Sequence, residues 1–316
     1  MLVESYTAAD LFPIKLAQEY SVIKQIVGSR FIPPIHLQFC PTNKCTRNCN
    51  FCSCANRDKS ASLDIDIIKE IIKSFHFLGC KAVTITGGGE PLCYENLKEV
   101  IEEFREYNIE IGLVTNADLI HKLSDDIWSL LTWCRISCSD QYKFVDKWVK
   151  PIERLTTTVQ NVAWAFSYVL TASPDIDNLT KHVRFAEKVN MTHVRVVSDI
   201  LNYDNIPEID DIDSKLIIRQ KRNHPTKGNR DCWISLLKPV IDPTGGIFPC
   251  CGVQYAKEED SKDFVDSMCM GTYKMVSDIW FGLRKFDGSK CVECYYAEYN
   301  NFLTKLMFNL EHRKFV

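Results

Sequence analysis

A chain of 316 residues, 46% of them hydrophobic, is long enough for one large domain or two ordinary ones and can bury a full core. Its formal charge of −3 excludes the broad basic footprint of a general nucleic-acid binder, and no apolar run approaches the roughly 18–20 residues needed to span a bilayer. The opening MLVESYTAADLFPIKLAQEY lacks a basic start followed by an apolar stretch, so it does not read as a secretory signal, and a cytoplasmic location with reduced thiols is expected.

Residues 1–33 read as an N-terminal helical arm. Leu11, Ile14, Ile23 and Ile26 follow helical spacing, and Pro33-Pro34 ends the segment. From residue 35 short β-like runs alternate with helix-like ones. The strands are expected at 35–39, 82–86, 109–115, 134–139, 162–170 and 192–198. Helical periodicity lies between them, in SLDIDIIKEIIKSFHFLG, ENLKEVIEEFREY, a segment near LSDDIWSLLTW, one near KFVDKWVKPIERL, and DNLTKHVRFAEKV. Six such alternations predict an α/β fold with a parallel sheet, coiled by same-handed crossovers into an open or partial (β/α)6 barrel over 34–205. In such barrels chemistry sits at the C-terminal strand ends. The unusual residues fall there: the cysteine-rich stretch after strand one, Gly87-Gly88-Gly89-Glu90-Pro91 after strand two, Thr115-Asn116 after strand three, Ser137 to Asp140 after strand four and Asp199 after strand six.

Residues 206–231 read as a charged linker. NYDNIPEIDDID carries five acids and no bases, and KLIIRQKRNHPTKGNR carries six Lys or Arg and no acids. The two halves either attract each other as a solvated connection or offer a basic patch to a phosphate or nucleotide. Residues 232–316 read as a small α+β unit. Within it, KPVIDPTGGIFPCC predicts a β-hairpin around Pro243 to Gly246.

Fifteen cysteines in a chain without an export signal point to metal or redox chemistry rather than disulfides. Cys80, Cys134 and Cys138 sit in or beside apolar runs and serve as small hydrophobes. Cys45, Cys49 and Cys52 stand at C-x3-C-x2-C in a glycine-poor loop, with Cys40 and Cys54 outside the spacing as packing or supporting residues. A structural zinc ion is usually closed by four ligands, whereas three thiolates on a cubane cluster leave one iron open to a small molecule. Cys232, Cys250, Cys291 and Cys294 form a second group of four, which taken alone suits either zinc or an iron–sulfur cluster. Cys251 and Cys269 are left over, either of them an alternative fourth ligand, Cys251 standing next to Cys250.

The loop from Cys45 to Cys52, with Phe51 before its last cysteine, and TGGGEP at 86–91 together resemble the signature of the radical S-adenosylmethionine (radical SAM) superfamily. PVIDPTGGIFPCC, MGTYKMVSDIWFGLRKF and CVEC resemble the SPASM/twitch extension of the same superfamily, and no cysteine follows Cys294, which favours the shorter twitch form. The resemblance covers about residues 35–316. It implies a radical SAM partial barrel with a [4Fe–4S] cluster on Cys45, Cys49 and Cys52 whose open iron binds SAM. Phe51, Gly87, Gly88, Gly89, Glu90, Asn116 and Ser137 would contact SAM, with Glu90 pairing with its amino group. It further implies an auxiliary [4Fe–4S] cluster on Cys232, Cys250, Cys291 and Cys294, and a reductant such as flavodoxin or ferredoxin as partner. The implied activity is cleavage of SAM to a 5′-deoxyadenosyl radical, hydrogen abstraction from a substrate carbon, and two-electron oxidation with the auxiliary cluster accepting an electron. Substrates of that kind are aminosugars, peptides and other small molecules. Asp140, Asp199 and Asp242 are the candidate bases, and Arg195 could orient a substrate anion or pair with an acid. Redox-neutral rearrangement or epimerisation, nucleotide or nucleic-acid modification, and a non-catalytic metal-binding module are the alternatives. Only about 34 residues precede strand one, which weighs against a peptide-binding extension of roughly 80 residues.

Overall fold

The structure, a computed structural model, describes residues 11–29, 31–55, 57–199, 212–220, 227–251, 266–291 and 294–308. The acidic part of the expected linker, 202–211, and the N-terminal residues 1–10 lie outside the described residues.

Two short helices open the chain, α1 (Phe12–Gln18) and α2 (Tyr20–Ser29). Then β1 (His36–Phe39), α3 (Ile65–Phe77), β2 (Ala82–Ile85), α4 (Leu97–Glu106), β3 (Glu110–Thr115), α5 (Asp125–Trp128), β4 (Trp133–Ser139), α6 (Asp146–Thr158), β5 (Ala163–Leu170), α7 (Ile176–Lys188) and β6 (His193–Ser198) follow in strict alternation. β1 to β6 pair in sequence order and all run parallel. All six expected strands are present. The fold is the α/β partial barrel that the repeat pattern predicts.

Local chemistry explains the boundaries. Asp64 caps α3 by accepting from the Asp66 amide at 2.8 Å. Ile68, Ile71, Ile72 and Phe75, at helical spacing, form the face that α3 buries against the sheet. Asn108 and Asn190 end α4 and α7 in the left-handed region, where asparagine is tolerated. The helix expected near LSDDIWSLLTW is a single turn, α5. Thr132 donates its amide to Ile111 O, so the sheet takes the chain before a second turn forms.

Two features extend the sheet. β7 (Ile217–Gln220) pairs parallel with β6 and lies inside the stretch expected to be a charged linker. Its Ile217 and Ile218, with Leu216 just before them, supply the β-like run that the surrounding charges obscured. After a one-turn helix α8 (Ile234–Leu237), the hairpin strands β8 (Val240–Ile241) and β9 (Gly246–Phe248) turn at the expected place, and β10 (Gly271–Thr272) adds antiparallel to β9. β8 pairs parallel with β1. The described sheet therefore has ten strands in the order β10-β9-β8-β1-β2-β3-β4-β5-β6-β7, and the C-terminal unit continues the barrel. Helices α9 (Val276–Phe281) and α10 (Ala297–Met307) complete that unit.

The strands alternate by face. Leu37, Phe39, Val83, Ile85, Cys134 and Ile136 are buried in the apolar core. His36, Gln38, Thr84, Arg135, Ser137 and Ser167 face a cavity of about 1410 Å³ inside the curve of the sheet. A closed barrel of this class fills its centre with branched apolar side chains. This one leaves an open chamber with polar side chains set among apolar ones.

Candidate radical SAM site

The chamber is open to the loop after β1. Cys45, Cys49 and Cys52 all line it, together with Phe51, Gly87, Gly88, Gly89, Glu90, Asn116 and Ser137. Every cofactor-binding residue expected from the sequence thus meets on one wall, at the C-terminal ends of β1 to β4. The loop is pinched at its base: Leu63 donates its amide to Pro41 O at 3.0 Å, and Asn43 donates its amide to Ala61 O at 2.9 Å. Cys40 is fully buried beneath it.

The three glycines are required by close packing. A Cβ on Gly89 would lie 2.0 Å from Lys44 O, and one on Gly87 would lie 1.6 Å from Gly89 O. The Gly89 amide donates to Thr42 O at 2.9 Å and the Glu90 amide to Lys44 O at 2.7 Å. The glycine loop therefore fixes the chain that leads into Cys45, besides lining the chamber.

Glu90 is 3% exposed. Its carboxylate accepts from Thr115 Oγ1 at 2.6 Å, the Asn116 amide at 2.6 Å and the Leu92 amide at 3.0 Å. Burial pushes its pKa up, and these hydrogen bonds pull the other way. An ionised carboxylate accepts about four hydrogen bonds, so roughly one lone pair is left for a donor in the chamber. A buried anion with one such position suits an ammonium group.

The turn after β3 is strained. Ala117 has φ +62°, a conformation costly for a residue with a Cβ. Its amide donates to Thr115 Oγ1 at 3.0 Å, and the Asp118 amide donates to Asn116 Oδ1 at 3.0 Å. The turn directs Asp118 at Arg47, which lies between Cys45 and Cys49. Arg47 donates to Asp118 through Nη2 at 2.5 Å and Nε at 2.9 Å, and to Asn116 O at 3.0 Å. The guanidinium also stacks 4.3 Å from the Tyr142 ring centroid. The sequence reading missed Arg47, Asp118 and Tyr142, although an arginine inside a thiol loop was the available signal.

The thiols fit a cluster. Burial pushes Cys45 and Cys49 up, whereas the hydrogen bond to the neighbouring Cys54 thiol brings Cys52 down to about 6. That hydrogen bond favours the thiolate at Cys52, the form that ligates metal. Among the described residues no three His, Cys, Asp or Glu side chains converge on a single metal ion. A cubane spreads its ligands wider than one ion does.

Two loops bring Cys232, Cys291 and Cys294 of the second cysteine group near one another. The Gly228 amide donates to Cys291 O, and Cys232 bridges to Phe286. Burial pushes Cys232 up to about 12 and Cys291 up to about 11, with the nearby Cys294 adding to both. Asn300 on α10 donates to Cys232 Sγ at 3.7 Å and accepts from the Ile234 amide at 3.0 Å. Cys250 is half-buried and packs against the core. Cys251, the adjacent residue, lies 3.4 Å from Tyr296 Oη, and both Cys251 and Cys294 line the chamber. Cys269 is exposed and donates to Gly271 O at 3.2 Å.

The base candidates separate. Asp140 accepts from Tyr168 Oη, from the amides of Thr171 and Asp175, and from Thr171 Oγ1, so it braces the loop after β5. Asp242 accepts from the amides of Thr244 and Gly246 and from Thr244 Oγ1, which builds the hairpin turn. Asp199 is buried at the end of β6, where its amide donates to Leu170 O at 2.9 Å.

Residues 39–134 match the sequence model of the Radical SAM superfamily. That segment is a radical SAM domain. A probable GTP 3′,8-cyclase of Pyrococcus abyssi is 27% identical over 170 residues, which cover 50% of this chain and 55% of that protein. The chain thus spans about half the length of that relative. A second, from Sulfurisphaera tokodaii, is 22% identical over 233 residues, covering 64% of this chain and 72% of that protein. Among solved structures, Streptococcus suis SuiB bound to S-adenosylmethionine superposes with a TM-score of 0.61 at 16% identity, over 94% of this chain and 80% of that one. anSMEcpe with bound AdoMet and the Cp18Cys peptide gives 0.51 at 13% identity, over 90% and 86%. Both structures share the radical SAM fold with this chain. The site residues fit the group the family carries, a [4Fe–4S] cluster with SAM. No helix among the described residues is long and apolar enough to cross a membrane.

Proposed function

We propose that this radical SAM enzyme oxidises a small molecule by two electrons inside the chamber, one leaving with the hydrogen atom taken by the 5′-deoxyadenosyl radical and one passing to a cluster held by the C-terminal cysteine group, while a base takes the second proton. The carrying observation is that Cys45, Cys49 and Cys52 share one cavity with Cys251 and Cys294. When bound, the [4Fe–4S] cluster and SAM supply a 5′-deoxyadenosyl radical able to take hydrogen from a substrate carbon. Cys45, Cys49 and Cys52 would hold that cluster. Glu90 would accept from the SAM ammonium group, and Phe51, Gly87, Gly88, Gly89, Asn116 and Ser137 would line the SAM site. Cys232, Cys250, Cys291 and Cys294 would hold an auxiliary [4Fe–4S] cluster. Four protein thiolates leave no open position, which suits that group to electron transfer. Asp199, buried at the end of β6 beside the lining residue Ser198, is kept as the base candidate of this reading, and Asp140 and Asp242 brace turns. Domain limits at 34–205 and 232–316 belong to the same proposal, with β8 joining the two parts. A small electron carrier of the flavodoxin or ferredoxin kind would supply the first electron.

The relatives named GTP 3′,8-cyclase favour a second reading, a redox-neutral rearrangement of a nucleotide. Product mass separates the two: oxidation removes two hydrogens, and rearrangement removes none.

The test is anaerobic purification and reduction with SAM. About eight iron and eight sulfide per chain are expected, with release of 5′-deoxyadenosine. Alanine at Cys45, Cys49 and Cys52 together should abolish that release. If the triple variant still cleaves SAM, the assignment is wrong. Cys291→Ala should spare abortive SAM cleavage and impair product formation. Deuterium transfer from labelled candidates into 5′-deoxyadenosine then identifies the substrate.

A further inference from the structure

The walls of the chamber below the cysteine loop are cationic. Arg135 on β4, Arg195 on β6 and Lys238 just before β8 are half-buried lining residues, and Lys15 and Arg219 line it with greater exposure. The strand register sets their depth. Arg135 is level with Ala165 and His193, and Arg195 is level with Ser167 and Ser137. Ser137 stands two residues nearer the cysteine loop than Arg135, so the β4 arginine sits about 7 Å deeper at the usual strand rise.

Each cation is held in place. Arg195 donates through Nη2 to Ser167 Oγ at 2.9 Å and through Nε to the same oxygen at 3.3 Å. The Arg135 guanidinium lies 5.1 Å from the Trp133 ring centroid. That ring occupies the space left by Gly112, where a Cβ would meet it at 2.0 Å. The Lys238 ammonium lies 5.9 Å from the ring centroid of Tyr296. The acidic lining residues among those described are Glu19, Glu90 and Glu298, and Glu90 is already bound at the loop end. The local field is positive enough to register on a neighbour. Burial, then Arg135 and Arg195, hold His193 down at about 3.

Positive charges on rigid, inward-facing positions of a half-enclosed chamber attract and orient an anion far better than exposed ones. Arginine forks in particular match the oxygens of phosphate and carboxylate. We propose that the chamber takes a small-molecule substrate bearing a multiply charged anionic group, phosphate or carboxylate. Arg135, Arg195 and Lys238 hold the anion, and the reacting carbon points at the cysteine loop. This rests on the reading of the chamber as the active site and names the substrate class it admits.

The test is calorimetric titration of the anaerobically reconstituted full chain with pyrophosphate and, separately, with citrate. One saturable site per chain is expected, weakening as salt rises. Tighter pyrophosphate binding marks a phosphorylated substrate, and tighter citrate binding a carboxylated one. Arg195→Gln and Arg135→Gln should each weaken the anion about tenfold or more. Phenylglyoxal labelling of the unsubstituted protein gives a second reading that needs no variant. Bound pyrophosphate or citrate should protect Arg135 and Arg195 from modification. If neither anion binds, or if binding persists in both variants without protection of either arginine, the proposal is overturned. SAM cleavage by the unsubstituted enzyme is followed in the same preparation. Loss of the radical SAM reading and loss of the anion site are therefore seen separately.

Discussion

Gly89 and Gly28 show why residues of one type carry different weight. A methyl on Gly89 would meet backbone, Lys44 O at 2.0 Å, which cannot swing aside like a flexible side chain. Gly89→Ala should therefore shift the entry to the cysteine loop and lower iron retention and 5′-deoxyadenosine release together, by tenfold or more in the latter. Gly28, within α2, has open space where a methyl would stand, with nothing within 4 Å. Gly28→Ala should raise stability by roughly 0.5–1 kcal/mol, read from urea unfolding. The Arg47–Asp118 pair has side-chain exposures of 9% and 28%. Removing one partner of a buried pair costs more than the pair contributes, because the other charge stays behind. Asp118→Ala should cost roughly 2–3 kcal/mol, the lower end reflecting the partial exposure of Asp118. The cysteine spacing and the glycine–glutamate turn were legible because they are local in sequence. Arg47–Asp118 was not, since an ion pair across 71 residues leaves no periodic trace. Of the chamber's cations only Arg195 was singled out in the sequence, because register decides which strand residues face one another.

Elements with strong periodicity or distinctive turn chemistry were read correctly, and β7, which depends on a neighbouring edge, was not. β1 to β6 and their main helices follow apolar alternation or helical spacing. β7 has four residues within a charged run and exists because β6 offers it an edge. The β8–β9 hairpin was legible through its turn chemistry. Gly245 there has φ +81°, and a Cβ on it would lie 2.8 Å from Tyr273 Cδ1. Gly245→Ala should loosen the hairpin by roughly 1–2 kcal/mol, seen as faster amide exchange at Ile247 and Phe248. Because Cys250 and Cys251 follow β9 directly, the same variant should lose iron from the C-terminal group before the N-terminal one.

At the scale of the whole molecule, three histidines are held neutral inside the fold. Burial brings His182 down to about 4 and His193 to about 3, and His36 lies well below its ordinary value. The unfolded chain takes up these protons near pH 6.5, but the folded chain does so only at much lower pH. Stability should therefore be full above about pH 6.5 and fall as pH drops toward 3. His182 alone accounts for roughly 3 kcal/mol of that loss. Denaturant midpoints measured across the range should show this slope, and His182→Gln should flatten it. The union of β8 with β1 has its own consequence. Gln38 and Cys40, just before the cysteine loop, donate their amides to Pro239 O and Ile241 O. Those partners lie about 200 residues downstream, a separation that delays closure. During synthesis on the ribosome the first strand keeps one edge bare until the β8 residues, about 200 positions later, have emerged. The loop after β1 is therefore framed late, and the nascent chain is the form most exposed to aggregation.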